Sequence, residues 1–310
     1  MARLDDFTEE EFSVAKETLS VSLMGNIPSK RNPFAVLTGG QPGSGKTTIY
    51  RIYADITYGD IVFINGDDFR KRHPNFLKIY KEYGGDFAAY TNEFSNRMVQ
   101  EMIEYGAKRK VNMVIEGTLR TTSVPNATRS YLQENGFDVK LSVMVVRPEI
   151  SYLSTLKRYK EMLDNGTFGR LTSKEDHDYI TERIVKNLDF LYKERRFNDI
   201  LLYNRNKECL YQFKDTPNIN PALVMDEEFK RKLTNNEINK IVNYYGSYVE
   251  RNVINKVLHC QINDKNENTE MSNLVEKKKR TLINKDTSTR KTRKNSTKRN
   301  NNGLSRGGRQ

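Results

Sequence analysis

The chain has 310 residues, 36% of them hydrophobic, and a net charge of +12; that is enough for one large α/β core plus extensions, but lean for a chain folded throughout. The excess charge is confined to the end: residues 277–310 carry 13 Lys or Arg against one acid, while residues 1–276 balance at 39 of each sign. Binding to nucleic acid or an anionic surface can therefore be argued only for that tail, and with no C-x-x-C pair, no apolar run near the roughly 18 residues of a membrane span and no apolar export core, the composition excludes a zinc ribbon or disulfide framework and predicts a soluble, cytoplasmic protein.

Thr8 and Glu11 have capping-box spacing, and Phe12, Ala15, Leu19 and Leu23 recur at helical intervals up to Gly25 and Pro28, which predicts a leading helix. The apolar run from Pro33 to Thr38 reads as a buried strand, and Thr47 to Ile56 as a helix. Ile61 to Ile64 form a second strand, followed directly by Asn65-Gly66-Asp67-Asp68. Residues 86–108 look helical, and Val111 to Ile115 form a third strand ending in Glu116-Gly117-Thr118. A helix over Val124 to Gln133 and a strand over Val139 to Val146 come next. Pro148 opens a helix to about Leu163, a break spans Asn165 to Arg170, and a longer helix runs from about Ser173 to Lys193. Ile200 to Tyr203 read as a strand with Cys209 to Phe213 as a hairpin partner, and residues 226–258 as one or two amphipathic helices packed outside the sheet. Strands alternating with helices predict an α/β fold, a mostly parallel sheet covered on both faces. Beyond Gln261 the chain is rich in Asn, Lys, Thr, Arg and Ser, so the expected organisation is a folded domain over 1–260 and a basic, disordered tail over 261–310.

Between the first strand and its helix, Gly39-Gly40-Gln41-Pro42-Gly43-Ser44-Gly45-Lys46-Thr47 fits G-x4-G-K-[ST] in the strand-loop-helix setting that a phosphate-binding loop requires. Glycines let successive backbone N–H groups turn inward, and the following helix adds the partial positive charge of its N-terminus. Gly40 to Thr47 would thus cradle the phosphates of ATP or GTP, with Lys46 bridging the β- and γ-phosphates and the Thr47 hydroxyl holding Mg2+. In a parallel sheet every strand delivers its C-terminal end to the same edge, so Asp67, Asp68, Glu116, Thr118 and Arg120 face the nucleotide by topology alone. Phosphoryl transfer to a hydroxyl needs a carboxylate to take the proton and cations to balance the equatorial oxygens. Asp67 and Asp68 are equal candidates for the first task on spacing alone. Glu116 closes its strand as a magnesium-associated acid does, or else caps a helix or pairs an arginine. Arg158 and Arg170 stand where small kinases keep a charged lid, whereas His73, His177 and His259 are isolated.

The chain resembles the zeta toxin family of bacterial P-loop kinases over roughly residues 1–260. The resemblance is carried in order by Gly39 to Thr47, by Asn65 to Phe69 with His73-Pro74-Asn75-Phe76, by Ser95-Asn96-Arg97-Met98, by Ile115 to Thr118 with Arg120-Thr121-Thr122, and by Ser151-Tyr152-Leu153 with Arg158-Tyr159. It implies a kinase that phosphorylates the 3-hydroxyl of the amino sugar in UDP-N-acetylglucosamine, blocks peptidoglycan synthesis and is neutralised by a small helical antitoxin. By position it implies Asp67 as the proton acceptor, Lys46 and Thr47 on the nucleotide and Mg2+, Thr118, Arg120 and Thr128 on the sugar nucleotide, and Arg158 and Arg170 at the transition state. Gln100 stands where the family commonly has a substrate-contacting glutamate. An uncharged residue there keeps open a P-loop kinase for another hydroxyl, on a nucleoside, an antibiotic or a polynucleotide end. The tail has no counterpart in the resemblance and could bind nucleic-acid phosphates without sequence preference, or be a solvated extension.

Overall fold

The computed structural model describes residues 3–259. The expected domain boundary at 260 and the basic tail lie outside the described residues.

The strands are β1 Phe34–Gly39, β2 Val62–Ile64, β3 Met113–Ile115, β4 Asp138–Met144, β5 Asp199–Tyr203 and β6 Cys209–Gln212. They form one sheet in the order β2-β3-β1-β4-β5-β6, parallel throughout except for the antiparallel β5–β6 edge pair. The helices are α1 Glu9–Met24, α2 Thr47–Ile56, α3 Gly66–Phe69, α4 Phe76–Tyr83, α5 Phe87–Tyr90, α6 Asn92–Arg109, α7 Ser123–Glu134, α8 Pro148–Asp164, α9 Lys174–Glu194, α10 Pro221–Lys230, α11 Asn235–Tyr245 and α12 Arg251–His259. The capping box at Thr8 and Glu11 forms as the spacing demands, each side chain bonding the other's backbone N–H.

Alternation along the strands sorts their side chains between the two faces. Ala35 and Leu37 of β1, Met113 and Ile115 of β3, Leu141 and Val143 of β4, and Ile200 and Leu202 of β5 enter one core, which α1, α6, α7, α9 and α10 cover. Val36, Val114, Met144, Leu201 and Tyr203 point the other way, onto Ile49 and Tyr53 of α2. Both faces are buried, so the strands read as continuous apolar runs and not as alternating ones. Ile150 of α8 packs against this second core and also against a satellite cluster of Leu153, Ile241, Tyr245, Ile254 and Leu258, which docks α11 and α12 on α8.

Three segments differ from their expected form. The helix expected over 86–108 breaks at Thr91, whose hydroxyl turns back to the Phe87 carbonyl (3.1 Å) and accepts a hydrogen bond from Arg70 (3.0 Å), dividing α5 from α6. Residues 65–69 are a single helical turn capped by Asn65, whose side chain accepts from the Asp67 N–H (3.1 Å). The segment 226–258, expected to hold one or two helices outside the sheet, holds α11, nearly all of α12 and the end of α10; α10 begins before it and is core, with Ala222, Met225 and Phe229 buried in the main cluster beside α9. Truncating a fully buried Met costs about 2–5 kcal/mol. Met225→Ala is therefore expected to lower the urea-unfolding free energy by that amount; a change within about 0.5 kcal/mol, typical of a surface site, would refute the core assignment of α10.

Candidate active site

The register places Leu37 of β1 opposite both Ile115 of β3 and Leu141 of β4, so the P-loop leaves the sheet directly beside Glu116. Gly40, Gly43 and Gly45 take φ values of 148°, 74° and 89°. A Cβ on Gly43 would meet the Ser151 carbonyl at 2.1 Å, so only glycine lets the loop rest on α8. Lys46 curls back into the loop, its buried Nζ donating to the carbonyls of Gly40 (3.1 Å) and Gln41 (3.3 Å) and standing 3.8 Å from Glu116 Oε1. Burial drives the Lys46 ammonium down and the Glu116 carboxyl up, and each partly offsets the other. The Ser44 hydroxyl is fully buried without a hydrogen-bond partner among the described residues. An inward-facing orphan hydroxyl, a buried lysine and a glycine cradle together fit phosphate oxygens.

Asp67 lies in α3, the helical turn that follows β2, and its charge acts on Lys46. Arg170 donates to both of its carboxylate oxygens at 2.6 Å, and Arg70 Nε to Oδ1 at 2.9 Å. Burial works to raise this carboxyl, but the charges of Arg170 and Arg70, with their hydrogen bonds, lower it to about 2. Asp68 is exposed and accepts from the Asn65 amide at 3.0 Å. The geometry thus separates two acids that spacing left equal. Thr47 and Arg158 line, with Lys46 and Glu116, a cavity of about 300 Å³. The charges of Glu116, Arg158, Asp67 and Arg170 all act on Lys46.

The acceptor-side candidates are more dispersed. Gln100 is exposed on α6, its amide donating to Glu104 at 2.9 Å. Thr118 and Thr128 are half-buried and Arg120 is exposed. The turn between Thr118 and Arg120 is made by buried Leu119 at φ 59°, where Asn187 of α9 donates to its carbonyl at 2.9 Å.

Several contributors escaped the sequence reading. Arg70 follows Asp67 by three residues, a helical spacing that could have signalled the pair; its NH1 also holds the Ala88 carbonyl (2.9 Å) and Thr91 (3.0 Å). Phe168, two residues before Arg170, packs edge-on against Phe76 (4.9 Å) and Tyr80 (4.8 Å), which tethers the loop before α9 to α4. Gln41 Nε2 donates to the Val146 carbonyl (2.6 Å) and to Ser151 Oγ (3.2 Å), which lies 2.8 Å from Nε2 of buried His177. Arg205, just past β5, donates to the Ser44 carbonyl (3.3 Å), the Gly43 carbonyl and Ser154 Oγ (2.8 Å). The strand-end rule applied to β5 would have flagged it.

A parallel sheet with a phosphate-binding loop after its first strand, and acids and arginines gathered at that edge, defines a P-loop kinase-like fold. The zeta toxin family model matches residues 21–216. The chain is 40% identical over 213 residues to toxin PezT of Streptococcus pneumoniae, covering 68% of this chain and 84% of the relative, and 39% identical over 239 residues to toxin zeta of Streptococcus agalactiae, covering 77% and 83%. A solved chain from the PezAT chromosomal toxin-antitoxin system of Streptococcus pneumoniae is similar at a TM-score of 0.72 and 34% identity, over 83% of this chain and 100% of that one. The chain belongs to the zeta toxin family.

The Asp67 ion pairs carry a pH signature. A carboxyl ordinarily near 3.8 and lowered to about 2 in the fold contributes stability that is complete above the first value and lost as pH falls through the second. The difference in unfolding free energy between wild type and Asp67→Asn is expected to narrow between about pH 4 and about pH 2. A difference constant across that interval would contradict the pairing.

Proposed function

We propose that this protein transfers the γ-phosphate of ATP or GTP to the 3-hydroxyl of the amino sugar of UDP-N-acetylglucosamine, and so withholds that precursor from peptidoglycan synthesis. The observation that carries the reading is the Asp67 carboxylate, held ionised in the helical turn after β2 between Arg70 and Arg170 and within the field of the P-loop lysine. An ionised carboxylate is acceptor-only, so it can receive the substrate O–H and aim the oxygen at the γ-phosphorus. As the new O–P bond forms and the bond from the γ-phosphorus to the β–γ bridging oxygen breaks, the hydroxyl proton passes to Asp67. A carboxyl lowered to about 2 is a weak base. In a loose transition state the hydroxyl is scarcely deprotonated at bond breaking, so orientation matters more than basicity. Arg170, once drawn from Asp67 toward the transferring phosphoryl, would release the carboxyl's proton affinity and balance equatorial charge with Arg158. Lys46 would hold the β- and γ-phosphates over the backbone N–H groups of Gly40 to Gly45. Mg2+, when bound with the nucleotide, supplies further neutralisation of those oxygens, and the Thr47 hydroxyl with nearby Glu116 would hold it.

On the acceptor side, Thr118, Arg120 and Thr128 are proposed to contact the sugar nucleotide and Gln100 to hydrogen-bond it without charge. The neutral Gln100, bonded to Glu104, is the observation that favours a second reading, a kinase for a different hydroxyl. The origin of the S. pneumoniae structure in a toxin-antitoxin system supports a small antitoxin as the partner of this chain. The setting proposed for both is the cytoplasm; among the described residues no helix is long and apolar enough to cross a membrane.

Purified protein is expected to consume ATP only when UDP-N-acetylglucosamine is supplied. Asp67→Asn should lower kcat by about 10²- to 10⁴-fold while ATP still binds. Full turnover of Asp67→Asn would remove the assigned acceptor of the proton, and ATP consumption driven instead by another hydroxyl compound in an acceptor panel would select the second reading.

A further inference from the structure

The cavity beside the P-loop ends on a wall outside the residues 21–216 that the family model matches. That wall is α11, whose Tyr244 and Tyr245 line the same space as Gly43, Lys46 and Thr47. Tyr245 is buried, and its hydroxyl shares a hydrogen bond with Ser154 Oγ (2.6 Å) and accepts one from Arg205 (3.4 Å). The same Arg205 guanidinium holds the Gly43 carbonyl, and its Nε donates to the Ser44 carbonyl at 3.3 Å. One side chain therefore spans from the phosphate-binding loop to α11 and sets the distance between the two ends of the cavity.

Tyr244 differs from its neighbour. The residue stays 59% exposed, in a T-shaped contact with the Tyr245 ring at 4.8 Å. Lys157 of α8 reaches over it, with Nζ 5.4 Å from the ring centroid, and is itself held by Glu161 at 2.5 Å. A rigid aromatic ring left in water at the rim of a phosphate site, with a charged pair beside it, offers what a flat, polar-edged ligand needs. The ring face that Lys157 leaves open can accept a base by stacking, and the paired charges border the base's hydrogen-bonding edge.

We propose that α11 forms the nucleobase subsite for the donor nucleotide, with the purine packed against Tyr244 and bordered by Lys157 and Glu161. The proposal deepens the donor half of the kinase reading above, on which it rests. Phosphates would be read by the P-loop within the matched family region, and the base by the helix beyond it. Tyr245 and Arg205 act as positioning residues that fix the spacing between those two sets of contacts.

Titration calorimetry on the full chain, with ATP and separately with inorganic tripolyphosphate, both in the presence of Mg2+, tests the subsite. Tyr244→Ala is expected to weaken ATP about tenfold, the scale of one lost base stack, and to leave tripolyphosphate unchanged, while Tyr244→Phe keeps wild-type affinity for both. Equal ATP affinity in wild type and Tyr244→Ala would overturn the proposal. So would a parallel loss of both ligands, which would mark Tyr244 as a brace for the fold. Failure of wild type to bind ATP would overturn the donor reading and the subsite with it. Selective loss of ATP in a protein that does not phosphorylate UDP-N-acetylglucosamine would uphold the subsite and reject only the acceptor.

Discussion

An ammonium group buried at the end of a parallel sheet is costly unless oxygens replace its water, and the geometry around Lys46 is arranged to meet that constraint. Two P-loop carbonyls accept from Nζ and the Glu116 carboxylate stands 3.8 Å away. Those oxygens come from two chain segments that only the pairing of β1 with β3 brings side by side. The glycines that let the loop close also let it rest on α8, and Arg205 clasps its outer carbonyls from beyond β5. The loop is thus held by the sheet, by α8 and by Arg205.

The second charged centre shares the sheet edge with the first, and its charges act on Lys46 and Glu116. Asp67 is ionised strongly because one arginine comes from its own helical turn and another from the loop before α9. Arg70 is in turn fixed by the Ala88 carbonyl and Thr91, at the point where the expected continuous helix divides. The break between α5 and α6 is therefore coupled to the site and is more than an irregularity of the fold. Phe168 serves the other arginine in the same way, since its place among the rings of α4 limits where Arg170 can reach. Apolar packing here sets the position of charge.

The C-terminal helices have two attachments of different character. α10 completes the main core with Met225 and Phe229, while α11 and α12 form a separate apolar cluster on α8. α8 consequently contacts the P-loop at one point along its length and α11 at another, through Ser151 and Ser154. Movement of that helix would alter both ends of the cavity together.

Much of this was legible in the sequence because it is local. The P-loop, the capping box at Thr8, the apolar strands and the break before Arg170 each depend on neighbours a few residues away, and the parallel order follows from strands alternating with helices. The rule that parallel strands end on one edge also points to Asp67, Asp68 and Glu116. Choosing Asp67 over Asp68 from its own surroundings required Arg170, 103 residues away, to be brought against it. The same limit applies to Phe168 against α4, to Arg205 on the P-loop carbonyls and to α10 in the core. Side-chain partners distant in the chain leave no period or spacing to read, and the folded arrangement alone decides which charges meet and which helix is buried.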